Sequence, residues 1–147
     1  MGLPYIDTSV VKTRLESSLT TPDVKVFRAG ERDLKTSFGK VTPAVYILKQ
    51  YFNSPTPGGS SRIIRQAFDV YLELAVVAKR YADGVLEGEL ARQTLVDDVV
   101  DVLLGFNAGL DLAFDLSSYT DGDPADTVNY GTLVFHTVSQ YQKEVTP

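Results

Sequence analysis

The chain holds one histidine, His136, and no cysteine. Thiolate nucleophiles, disulfides and cysteine–zinc centres are therefore excluded. A single histidine on a strand has no partner with which to hold zinc, so a structural or surface role is expected. It could act as the base of a serine–histidine–acid triad, but no GxSxG elbow occurs. The acidic run DGDPAD, Asp121–Asp126, invites a calcium reading. An EF-hand loop needs glycine at its sixth position and glutamate at its twelfth. Counting from Asp121 these are Asp126 and Thr132, so the run reads as a solvated turn. The glycines of PTPGGSSR are followed by neither the lysine nor the helix start that a phosphate cradle requires.

Asp97, Asp98 and Asp101 lie close together on one helix. Three roles are open to them: metal ligands, a plain solvated face, or an acidic face that a symmetric oligomer repeats around its axis. The aromatics Tyr46, Tyr51, Phe68, Tyr71 and Tyr81 lie in strands without a dense basic interleaving. They suit packing better than base stacking. The residues thus give no catalytic cluster. No enzyme activity, metal or cofactor is expected.

The elements around these residues follow from periodicity. Pro4 to Leu19 predicts a helix, with Ile6, Val10, Val11 and Leu15 at helical spacing. Val24–Phe27 predicts a short strand, and Glu31–Phe38 a turn or two of helix. Pro43–Phe52 predicts a strand with Ala44, Tyr46, Leu48 and Phe52 on one face and Val45, Ile47, Lys49 and Tyr51 on the other. Apolar groups on both sides near its start predict a central strand covered on both faces there. From Arg62 to Tyr81, Ile64, Phe68, Val70, Leu72, Leu74 and Val76 share one parity, and Arg65, Asp69, Glu73 and Lys79 the other. Wound as a helix, that apolar set would circle the axis, so a long strand is predicted. Between the two strands, residues 52–62 form a loose hairpin tip.

Gly88–Phe106 predicts the main helix, with Leu95, Val99, Val102, Leu103 and Phe106 in its stripe and Gly105, Asn107 and Gly109 ending it. Leu110–Tyr119 fits either a short strand or an ordered loop. Asn129–Lys143 predicts a last strand. The result is one α+β domain spanning 1–147. Its sheet is mostly antiparallel, with a long β-hairpin, an N-terminal helix and one main helix packed on it.

At 147 residues and 44% apolar composition the chain can bury a core. Its net charge of -5 disfavours gripping phosphates. The start MGLPYIDTSVVKTRL lacks the layout of a signal peptide, and no run approaches the ~20 apolar residues of a membrane span. A soluble protein made in a cytoplasm, with no membrane partner, is expected.

Several stretches taken in order, VVKTRLESSL, VKVFRAGERDL, TPAVYILKQYF, NSPTPGGSS, RIIRQAFDVYLELAVVAKR, ELARQTLVDDVVDVLLGF and NYGTLVFHTVSQYQ, resemble the tail-terminator (tail-completion) proteins of tailed bacteriophages. The resemblance is one of element order and pattern, and covers nearly the whole chain. It implies a structural virion protein at the head-proximal end of the tail, assembled in the host cytoplasm. Such subunits form hexameric rings that cap the tail tube, end its polymerisation and offer a surface to the neck or head. In contractile tails they also meet the last sheath ring. DNA passes through such a ring without specific binding, which an acidic lumen favours. On this reading Arg62 and Arg65, at the base of the hairpin, meet Asp97, Asp98 or Asp101 of the next subunit. The alternatives are a head-completion or neck connector protein and, from another class, a small-ligand binding domain without catalysis.

Overall fold

A computed structural model describes residues 5–31, 43–53, 57–59, 63–80, 85–110, 112–122 and 128–144. Among the described residues two helices, α1 (Thr8–Ser18) and α2 (Val85–Leu103), pack on a sheet of six strands. The strands are β1 (Lys25–Arg28), β2 (Ala44–Asn53), β3 (Pro57–Gly59), β4 (Ile63–Arg80), β5 (Asp115–Asp121) and β6 (Val128–Glu144). Five lie side by side in the order β1-β2-β4-β6-β5, and β3 pairs with the outer end of β4. Only β1 runs parallel to its neighbour. The fold is α+β with a mostly antiparallel sheet, as the periodicity predicts.

The alternation of β4 sets the core. Val70, Leu72, Leu74 and Val76 are fully buried on the helix side. Leu133 and Phe135 of β6 stand opposite Leu74 and Leu72. Against them α2 lays Leu95, Val99, Val102 and Leu103, and α1 lays Val11 and Leu15. Each such side chain contributes roughly 1.5–3 kcal/mol by leaving water. A smaller cluster of Ala44, Tyr46, Ala75 and Val77 lies on the other face, with Phe27 stacked on Tyr46. The start of β2 is thus buried on both faces, as expected.

One residue changes the facing of β2. Ile47 pairs with Leu74, but Lys49 pairs with Glu73, so Leu48 is an extra residue. Such a β-bulge reverses the alternation beyond it. Leu48 joins the smaller cluster while Phe52 joins the main core, so the expected grouping of Ala44, Tyr46, Leu48 and Phe52 on one face is wrong. The bulge also turns Gln50 to the core side, opposite Leu72. Its amide is satisfied there by backbone. The Ile6 N–H donates to Gln50 Oε1 at 2.8 Å, and Gln50 Nε2 donates to the Ile6 carbonyl at 3.0 Å.

Helix boundaries differ from expectation at both ends. α1 begins four residues later than predicted, because the Asp7 carboxylate caps it by accepting from the Ser9 N–H. α2 begins a turn earlier, at Val85, and ends at Leu103. Gly105, with φ of 81°, supplies the left-handed residue past its end. The chain then returns through Phe114, whose carbonyl accepts from the Gly105 N–H. The ambiguous stretch from Leu110 resolves as strand β5, a sheet edge exposed at every residue. Of the predicted helical turn at Glu31–Phe38, all but Glu31 lies outside the described residues, as does most of the DGDPAD loop. Within the hairpin tip, residues 57–59 form β3 rather than loop.

The Gln50 amide is the hinge of this arrangement, since Ile6 would otherwise bury an unpaired N–H and C=O. Gln50→Ala should destabilise the fold by about 1–3 kcal/mol. Urea unfolding measures this; an unchanged midpoint would show that water replaces the amide.

Candidate functional site

Asp97 and Asp101 are exposed on α2. Asp98 is half-buried and engaged within its own chain. Its Oδ2 accepts from the Thr20 N–H at 2.9 Å, the Thr21 N–H at 2.8 Å and the Thr21 hydroxyl at 2.8 Å. Partial burial pushes its carboxyl up, but the bonds from Thr21 and Thr20 outweigh this and hold it below the usual value. Asp98 therefore fixes the loop between α1 and β1, which leaves Asp97 and Asp101 as the free acids of the expected trio. Register places Arg65 on β4 opposite Gly58 and Gln142. Its side chain, and Arg62 altogether, lie outside the described residues.

The structure gives His136 partners from distant parts of the chain. Nε2 lies 2.8 Å from Asp69 Oδ1 on β4, and Nδ1 lies 3.0 Å from Asp115 Oδ1 on β5. Register explains the grouping. Tyr51, Tyr71, His136 and Asp115 occupy one level across β2, β4, β6 and β5. Tyr51 stacks on Tyr71 at 4.9 Å, and the Tyr71 ring centre lies 5.1 Å from that of His136. Both imidazole nitrogens are occupied by carboxylates, so neither is offered to a substrate proton. The two acids flank the ring on opposite sides and do not converge on a common point. Among the described residues no group of three or more acids and histidines could hold a metal ion.

Two other places bring charged groups together with aromatic rings. An open groove of about 360 Å³ runs along α1, lined by Ser9, Val10, Thr13, Arg14, Ser17 and Phe106. Its one charge is spent: Arg14 Nε donates to the Val102 carbonyl, and the guanidinium sits 5.1 Å over the Phe106 ring. At the far edge, buried Arg92 lies 3.5 Å from Asp121. Asp121 also accepts from the Tyr119 hydroxyl at 2.8 Å. Desolvation, then the bond to Asp121, pushes Tyr119 up to about 12. Tyr119 lies against Gly131, where its ring leaves no room for a Cβ. This is a strand-to-helix lock rather than a cleft.

Sequence periodicity places Asp69 on the polar side of β4 but gives no means of joining it to His136, 67 residues away. Only the register of three strands does that. No family model matches the chain, and no curated protein matches its sequence.

Asp98→Ala should remove three hydrogen bonds to a charged acceptor and cost about 1–2 kcal/mol in chemical denaturation. Because the folded carboxyl titrates below its ordinary 3.8, the stabilisation is full above that value. It is lost as pH falls through the depressed value. The gap between wild type and Asp98→Asn should therefore narrow in acid, and a pH-independent gap would contradict the capping role.

Proposed function

We propose that the chain is a structural subunit of a bacteriophage tail-terminator ring, built for contact with copies of itself and with the end of a tail tube. One observation supports this above the others. The paired ribbon of β4 and β6 continues beyond Phe68, which packs on the core, from Ala67↔Gln140 to Ile63↔Glu144. β3 adds to the same ribbon. A long strand extension gains stability by lying on another surface. In a cyclic assembly that surface is the next subunit, and the contact repeats until the ring closes.

Other features agree with the reading. The charge of -5 suits a lumen through which DNA slides. Asp97 and Asp101 remain exposed on α2, where a neighbouring subunit could meet them. Among the described residues no helix is long and apolar enough to cross a membrane. Tube, neck and sheath proteins would be the partners, and the virion the location.

Reversing charge with Arg62→Glu and Arg65→Glu together should shift the protein from ring to monomer in sedimentation, provided that the wild type forms rings. Where the free protein is monomeric, the same pair should abolish binding to purified tail-tube tips seen by electron microscopy. Wild-type protein that neither forms rings nor binds tips would overturn the proposal.

A further inference from the structure

The half-open face of the sheet carries a device that does not depend on the ring reading. His136 bridges two carboxylates on two other strands, Asp69 on β4 and Asp115 on the edge strand β5. A carboxylate only accepts, so both bonds exist together only when both ring nitrogens carry hydrogen. The bridge is therefore complete in the imidazolium and broken in the neutral ring. Asp69 is the less exposed partner, 32% against 67% for Asp115. Leaving the more buried charge unpaired costs more, so the remaining proton stays on Nε2 and Asp115 turns to water.

We propose that His136 is a protonation-controlled clasp that fastens the start of β5 to the sheet when charged and frees it when neutral. The surroundings confine the movement. Just before β5, Phe114 is buried in the core and the Thr137 hydroxyl donates to the Leu112 carbonyl, so the chain stays anchored there. Just after, the ladder is interrupted by an extra residue, Ser117. The segment from Asp115 through this bulge to Ser118 is exposed throughout and is the part free to lift. Opening it bares the backbone of β6 around Val134–His136, an unpaired edge of the kind to which another strand adds.

The groups facing His136 set the pH at which this happens. From β4 come Asp69 and Tyr71, and one pair further along Glu73, which is held 3.7 Å from Lys49 of β2. From β5 comes Asp115, while Tyr51 of β2 stacks behind Tyr71. Its own strand adds only Val134 and Val138 on that face. Burial alone would lower the histidine, but the bond to Asp69 and the charge and bond of Asp115 hold it above its ordinary 6.5. A folded value raised in this way makes the clasp fully effective below 6.5 and loses it as pH rises through the raised value.

Two measurements on the intact chain test this. Proton NMR of the His136 ring reads its midpoint, and amide hydrogen exchange, corrected for the intrinsic rate, reads the opening of β5. The midpoint should exceed 6.5, and protection at residues 115–118 should fall by up to about tenfold per pH unit between 6.5 and that midpoint. Asp115→Asn should lower the midpoint and flatten the step. His136→Gln should make protection independent of pH, and if it does not fold, the exposed Asp115→Asn site still decides. A midpoint at or below 6.5, or exchange that is unchanged across the midpoint, would overturn the clasp.

Discussion

The ladder between β4 and β6 carries the whole molecule. It runs from Ile63↔Glu144 to Arg80↔Val128 and joins segments far apart in the chain. β2 and β3 attach to one side of this pair and β5 to the other. α2 leaves the end of β4 and lies back across both strands. Without the ladder none of these has a surface to bury against. Its non-local character costs chain entropy before contacts repay it, which places the β4–β6 pairing late or slow in folding.

How far the fold is legible in the sequence depends on whether the signal is local. The parity of Val70, Leu72, Leu74 and Val76 is unbroken, and burial follows it. The α2 stripe is equally plain because Leu95, Val99, Val102 and Leu103 need only helical geometry to meet one face. The bulges at Leu48 and Ser117 are hidden, because an extra residue is defined by its partner strand and leaves no mark in its own. β5 has no apolar alternation to read: it is an edge, wet throughout, and its conformation is imposed by β6. The same limit governs the sites. Asp98 on α2 looks like one of three similar acids until the loop at Thr20–Thr21 is folded onto it. Asp69 and Asp115 become neighbours of His136 only through register.

The surface divides the labour of the fold. One face of the sheet is committed to α1 and α2. The other is closed at the Ala44–Val77 end by a small cluster and carries the tyrosine–histidine level at its middle. Two charged groups there are bonded in place: His136 to two acids and Lys49 to Glu73.

The extra residue at Leu48 makes strand length a form of information. Removing it would place Lys49 directly after Ile47, opposite Glu73 as now, so the ladder would become regular and every side chain from Lys49 to Asn53 would keep its facing. Among descendants of this sequence, loss of that one codon would therefore cost little beyond the Leu48 contact with the smaller cluster, whereas one further residue gained or lost beside it would turn Gln50 and Phe52 to solvent.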